Sequence, residues 1–310
     1  MKQTARLAIV CMAVLSFSGY AHNVTIPKDI NEMSLNKVTD NVYVVHGTRS
    51  MPDKANKGFI SNSGFVVSDE GVVIVDTGGS LQIGEMLLQK ISEVTDKPVI
   101  AVFNTHIHGD HWMGNAAIRN AYPEARIYAH ERAIERLQNG EAEQWLDMFM
   151  QSTDGAIEGT QIVLPDNALK GGESIEAAGN TFKIHHTGKA HTDNDIMIEY
   201  PEHKTLFAGD IVIYGSTVSG ARPQDFSATG QIAAVEYALE LPVDIYVPGH
   251  GPTGGREIPE ATKRFLDILY QSVQNYYDEG LADFEMRDQV VADLAEFSDW
   301  SGFDQIGRLI

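Results

Sequence analysis

Two kinds of hydrophobic pattern alternate along the chain, and their order predicts its architecture. "NVYVVHG" (41–47) and "SGFVVSDEGVVIVDTG" (63–78) are apolar, β-branched runs punctuated by Gly and Asp, the pattern of antiparallel strands. Between them "TRSMPDKANKG" (48–58) is polar, with Met51 and Pro52 near its apex, and reads as a mobile hairpin tip able to cover a site. In "SLQIGEMLLQKISEVT" (80–95) the apolar residues Ile83, Leu87, Leu88, Ile91 and Val94 fall at helical spacing, with Ser80 placed as the cap. "VIAVFNTH" (99–106) predicts the next strand. A helix over 115–121, the strand "ARIYAH" (125–130) and polar helical sequence to about residue 154 follow.

From about residue 161 the pattern returns to strands: "QIVLP", "ESIEAAG", "TFKIHHTG", "DIMIEYP" and "TLFAGD". A helix near 227–239, the strand "VDIYVPGHG" and an amphipathic helix from about Pro259 complete the series. Strands then helices, twice over and without a short repeat, predict one α/β domain over 22–310, a four-layer α/β/β/α sandwich of two mixed sheets flanked by helices. The acidic tail from about Asp278 to 310 reads as helical and peripheral, with no chemistry assigned to it.

Composition narrows the setting. The 310 residues are 43% hydrophobic, enough for a sizeable core. Residues 1–21 place Lys2 and Arg6 ahead of an apolar run from Leu7 to Phe17 and small residues at Gly19 and Ala21, which predicts a secretory signal peptide cleaved after Ala21. The run is shorter than the roughly 20 residues that span a bilayer, which argues against a membrane anchor. Cys11, the only cysteine, lies inside it, which argues against a lipid anchor there. The expected product is therefore periplasmic or secreted, without stable membrane association, disulfides or thiolate ligands. The formal charge of −20 includes Lys2 and Arg6 and becomes −22 without them. Such acidity repels phosphate backbones and makes nucleic acid a poor partner; it serves solubility, and a small-molecule substrate is the expected partner.

Against this background "NTHIHGDHWMGN" (104–115) stands out, with His106, His108, Asp110 and His111 in six positions just beyond the end of a predicted strand. Open α/β sheets place ligands there. Imidazole and carboxylate donors suit a borderline ion such as Zn²⁺. Four donors from one short loop exceed what one ion takes from a single segment, which suggests two neighbouring ions. Three further phrases at strand ends add His191 ("TGKAHTDND"), Asp210 ("LFAGD") and His250 ("VPGHG"). Any one of them alone would be read as a cap or a surface residue. Their joint occurrence changes the reading.

The ordered set His-x-His-x-Asp-His, His, Asp and Gly-His-Gly resembles the metallo-β-lactamase superfamily over about 38–264. The resemblance implies one metal held by His106, His108 and His191, a second held by Asp110, His111 and His250, and Asp210 bridging both. It implies two Zn²⁺ per chain, with iron or manganese as alternatives, and hydrolysis by a water that the two cations acidify while one polarises the scissile carbonyl. In this scheme Asp110 is the catalytic residue that orients the water and shuttles its proton.

"GKAHTDNDIMIEYPEHKTLFAGD" and "YVPGHG" are similar in wording to the secreted class B1 β-lactamases. Asp210, however, stands where those enzymes carry a metal-binding cysteine, His111 where they commonly carry a non-ligand such as arginine, and Ile213 where they carry a lysine that pairs with the drug carboxylate. The Asp-bridged set resembles instead glyoxalase II thioesterases, lactonases and broad secreted metallohydrolases. The expected reaction is hydrolysis of an amide, ester, thioester or lactone, with β-lactams as further substrates. The alternative is a mononuclear iron sulfur dioxygenase using residues like His106, His191 and Asp210. A storage or structural zinc protein fits less well, because seven ligands for two ions leave positions open for water.

Other residues carry weaker expectations. Trp112 is read as packing or pocket lining, and neither His185 nor His186 as a ligand. Tyr214 and Arg222 are the nearest groups for an anionic substituent. His22, His46, His130 and His203 remain unassigned.

Overall fold

A computed structural model describes residues 30–217, 222 and 224–310. The predicted signal segment 1–21 and His22 lie outside the described residues.

The first sheet contains β1 (Leu35–Lys37), β2 (Val42–Val45), β3 (Ser63–Val67), β4 (Val72–Val75), β5 (Val99–Phe103), β6 (Arg126–His130) and β7 (Asn167–Leu169), neighbours in that order. Pairing is antiparallel from β1 to β4 and parallel from β4 to β7. The second sheet runs β12 (Ile245–His250), β11 (Thr205–Ile213), β10 (Met197–Tyr200), β9 (Asn180–His185), β8 (Ser174–Ala177), parallel only between β11 and β12. Eight α-helices are described: α1 (Leu81–Ser92), α2 (Gly109–Trp112), α3 (Asn115–Ala121), α4 (Glu131–Arg136), α5 (Ala142–Ser152), α6 (Ala228–Glu240), α7 (Glu257–Asp278) and α8 (Asp283–Asp293).

Each strand's pleat decides which layer its side chains join. In β4, Val73 and Val75 face the other sheet, against Phe182, Ile198 and Phe207, while Val72 and Ile74 face α1 and meet Ile83, Leu87 and Ile91. A strand buried on both faces reads as the continuous apolar run "VVIV". Helices α6, α7 and α8 cover the outer face of the second sheet through Ala234, Phe265, Leu269 and Val290. The four-layer sandwich predicted from the sequence is thus present. Ser80 caps α1 as expected, its hydroxyl accepting from the Ile83 amide.

Three local expectations need correction. "QIVLP" forms no strand: the Val163 carbonyl is taken by the Asn115 side chain, and pairing with β6 starts only at Asn167. β5 ends at Phe103 rather than His106, because the Thr105 amide donates to the Asp76 carboxylate (2.8 Å) instead of a neighbouring strand. The hairpin tip is tied down rather than free. Buried Asn56 donates to Thr48, Ser50 and the Met51 carbonyl and accepts from the Asp53 and Gly58 amides, although Met51 itself is half exposed.

The acidic tail packs closely. Met286, Val290, Leu294 and Phe297 are buried with the α7 residues Phe265 and Leu269, and Trp300 stacks on Phe265.

Candidate metal centre

All seven predicted site residues converge at one edge of the two sheets, where β4, β5 and β12 end and β11 turns irregular. His106 follows β5, His108 stands immediately before α2, and Asp110 and His111 lie within its single turn. His191 sits in the β9–β10 connection, Asp210 inside β11, and His250 at the last position of β12. Asp210 is therefore within its strand, not after it. The β11–β12 register shifts between Gly209 and Ile213, with Gly209 at φ +51°. A side chain at Gly209 would strike Thr105, and one at Gly249 would overlap the Asp210 carboxylate, so both positions need glycine.

The donors form two groups, His106, His108, His191 and Asp210, and Asp110, His111 and His250. Asp210 reaches toward both. Its Oδ2 lies 3.2 Å from His191 Nε2 and 3.3 Å from His250 Nε2, and its Oδ1 lies 3.3 Å from His111 Nε2. Asp110 Oδ2 is 3.3 Å from His111 Nε2 and 3.4 Å from His250 Nε2. Donors about 2.05 Å from a tetrahedral ion stand roughly 3.3 Å from one another, so these separations match the edge of a zinc-like coordination shell. Buried His106 Nε2, His111 Nε2 and Asp210 Oδ1 have no hydrogen-bond partner, and His108 Nδ1 and His191 Nε2 face each other at 3.1 Å. Buried polar atoms are ordinarily paired, and a cluster of orphans is explained if cations satisfy it. The residues present fit a pair of divalent ions.

Electrostatics agrees with the geometry. Burial, then the neighbouring imidazoles, pushes His106 and His108 well below the usual histidine range, leaving the neutral form that offers a lone pair. For Asp210 burial acts upward, but His250, His111 and His191 outweigh it and hold the carboxylate ionised. His111 is opposite in sense: burial lowers it, yet Asp110, Asp76 and Asp210 together raise it well above the ordinary value. Three carboxylates around one buried ring demand positive charge there.

The surroundings fix the rings. His111 Nδ1 bonds Asp76 Oδ2 at 2.7 Å, and Asp76 also accepts from the Thr105 amide and hydroxyl. His250 Nδ1 bonds the Ile60 carbonyl at 2.9 Å, and the Ser61 hydroxyl donates to the Asp110 carbonyl at 2.6 Å. Trp145 of α5 packs against His108, ring centroids 4.8 Å apart. Sequence reading missed Asp76, Ser61 and Trp145. Asp76 had a usable signal, since it ends the apolar strand "VVIV" just as Asn104 and the following histidines end "VIAVF"; a lone Trp in a helix has none.

The weaker expectations resolve individually. Trp112 is buried and donates to the Ile107 carbonyl, a packing role. His185 pairs with Glu199 and Tyr237, and His186 bonds the Asp195 carbonyl and stacks on His130, so neither joins the cluster. Arg222 lies over Trp145, 4.0 Å from its ring centroid, and pairs with Glu141. Tyr214 packs against Trp300, while its amide donates to the His250 carbonyl. His46 bridges Asn36 and Thr253, and His203 stacks on Tyr200.

Fold and donor set together define a class, the αβ/βα metalloproteins. The chain belongs to the metallo-β-lactamase superfamily, whose sequence model matches residues 56–250. It is 23% identical over 260 residues to a linear primary-alkylsulfatase of a Pseudomonas species, covering 73% of this chain and 49% of that one. It is 30% identical over 133 residues to a hydroxyacylglutathione hydrolase of a Synechococcus species (43% and 42%), and 23% identical over 284 residues to a metallo-β-lactamase type 2 of Bacillus cereus (87% and 100%). The chain thus spans about half the length of the first two of these relatives. Among solved structures, a metallo-β-lactamase from Pontibacter korlensis superimposes with TM-score 0.59 at 19% identity (76% of this chain, 99% of that one). The sec-alkylsulfatase Pisa1 from Pseudomonas sp. gives 0.64 at 18% (82% and 44%). At such identities the structural likeness speaks for the fold alone.

Proposed function

We propose that this chain is a metal-dependent hydrolase, working in the periplasm or outside the cell, that cleaves an amide, ester, thioester or lactone with two zinc ions. The observation that carries the reading is Asp210, whose two carboxylate oxygens face His111 on one side and His191 on the other at 3.2–3.3 Å. On this reading His106, His108 and His191 hold one ion, Asp110, His111 and His250 hold the second, and Asp210 spans both. The bound ions supply an acidified water at neutral pH and polarise the scissile carbonyl.

The chain's own groups do the rest. Asp110 keeps one carboxylate edge toward His111 and His250, and Ser61 pins its backbone. It orients the attacking water and passes its proton to the leaving group. Burial of Asp210 and the four cluster histidines of the first and second groups, other than His250, keeps competing water out. The leader-like segment 1–21 supports export, and the N-terminal sequence of the mature protein checks it.

The test is turnover of a chromogenic cephalosporin, a thioester, a lactone and a sulfate ester by protein of measured metal content, with Asp110→Ala as control. The sulfate ester belongs in the panel because alkylsulfatases are among the similar proteins. Hydrolysis of any of the first three that Asp110→Ala loses while keeping two ions supports the reading. Full turnover by that variant refutes the role of Asp110. A protein that carries one iron and oxidises a persulfide instead would make it the sulfur dioxygenase alternative, which needs only His106, His191 and Asp210.

A further inference from the structure

The C-terminal segment meets the centre's two flanking loops at a single corner. Ser301 forms a parallel bridge with Ser216: its amide donates to the Gly215 carbonyl (3.1 Å), and its carbonyl accepts from the Thr217 amide (2.9 Å). Its hydroxyl donates to the Arg49 carbonyl in the β2–β3 loop, and the Arg49 guanidinium returns to the Gly215 carbonyl at 3.3 Å. Trp300 packs on Tyr214 at 5.7 Å and is itself held by Phe265 and Phe297 at 5.4 and 4.8 Å.

Both segments gathered there end on His250. From the β2–β3 loop, the Ile60 carbonyl accepts from His250 Nδ1 and the Asn62 side chain donates to the Pro248 and Gly251 carbonyls. From the loop after β11, the Tyr214 amide donates to the His250 carbonyl (3.0 Å). His250 is the most exposed of the seven donors, its side chain 15% accessible where the buried histidines show almost none. It therefore depends most on neighbours to hold its ring. The corner at residues 300–301 also lies outside the 56–250 span that the family shares.

We propose that the C-terminal Trp300–Ser301 corner is a positioning element for His250 that sets the affinity of the second ion. The inference rests on the two-ion reading given above. Groups that orient a metal ligand are worth about 10–100-fold in metal affinity; acting through two loops, the corner falls at the lower end of that range.

The experiment titrates metal-free protein with Zn²⁺ in wild type, Trp300→Ala, Trp300→Phe and Ser301→Ala, with Phe284→Ala on the exposed face of α8 as control. Amide exchange of residues 48–62 and 214–217 is read in parallel. The expected result for Trp300→Ala is an unchanged first affinity, a second affinity weakened about tenfold, and faster exchange in both loops. Trp300→Phe should restore most of this, and Phe284→Ala should change nothing. Two ions bound with wild-type affinities would overturn the proposal, as would equal weakening of both ions, which marks the tail as a general prop. Wild-type protein that takes up only one ion defeats the two-ion reading instead. Exchange of the Tyr214 amide then decides the positioning role by itself.

Discussion

Asp76 Oδ2 and His111 Nδ1 stand 2.7 Å apart, both buried, and the bond turns His111 Nε2 toward Asp110 and Asp210. Asp76 adopts φ +60°, a conformation that Asp and Asn tolerate better than most side chains. Asn is thus a clean replacement. It has one acceptor oxygen where the carboxylate serves three donors, so Asp76→Asn should fold yet lose about 10–100-fold in affinity for one ion. Competition with a chromophoric chelator measures this, and unchanged affinity for both ions would show that the contact does not orient a ligand.

Arg136 joins three segments around the centre. It pairs with Glu141 (2.6 Å), with Asp193 two residues beyond His191 (2.9 Å), and with buried Asp225 (2.8 Å). Removing the cation strands a buried carboxylate, and Arg136→Met should cost about 3 kcal/mol. The double variant Arg136→Met, Asp225→Asn should recover part of that loss. Urea unfolding of wild type, Arg136→Met, Asp225→Asn and the double variant gives the cycle, and additive effects would mean that the pair is not coupled.

The pH dependence of stability should carry a mark from His46. Burial pushes its pKa down to about 4, and its Nε2 accepts from the Thr253 amide, which only the neutral ring can do. The unfolded chain takes up a proton near pH 6.5, whereas the folded ring resists until about 4. The group's contribution is therefore complete above pH 6.5 and is lost as the pH falls through that window to about 4. His46→Gln keeps an acceptor without a titrating ring, and its melting temperature should fall less steeply over this range. Parallel curves would exclude the role.

Metal removal should loosen the centre and spare the sheets. The clusters around Val73 with Phe182, and around Ile74 with Leu87, are built from apolar side chains that include none of the seven donors. Chelation should keep the far-ultraviolet spectrum. Ions present at about a thousand times their Kd add roughly 4 kcal/mol, so the melting temperature should drop by on the order of 10 °C. Loss of secondary structure on chelation would show that the ions are required for the fold itself.

Much of this was legible along the chain because its periodicities are short-range. Burial on both faces of β4 demands "VVIV", one buried face of α1 demands Ile83, Leu87 and Ile91, and the Ser80 cap is a local contact. The donors were legible for a similar reason: His, Asp and Gly crowded at strand ends carry chemistry that packing does not require. The strand assigned to "QIVLP" failed because Asn115, 48 residues away, takes the Val163 carbonyl.

The sequence by itself determined the layered fold, the family and which seven His and Asp side chains gather at the sheet edge, all of which follow from local pattern and residue type. Only the tertiary structure decided how they are aimed. Asp76 behind His111, Ile60 behind His250, Trp145 against His108 and the Trp300–Ser301 corner are contacts between segments 30 or more residues apart. Such contacts leave no periodicity in the chain, because a hydrogen bond or ring contact needs only one residue on each side, brought within reach by the folding of everything between.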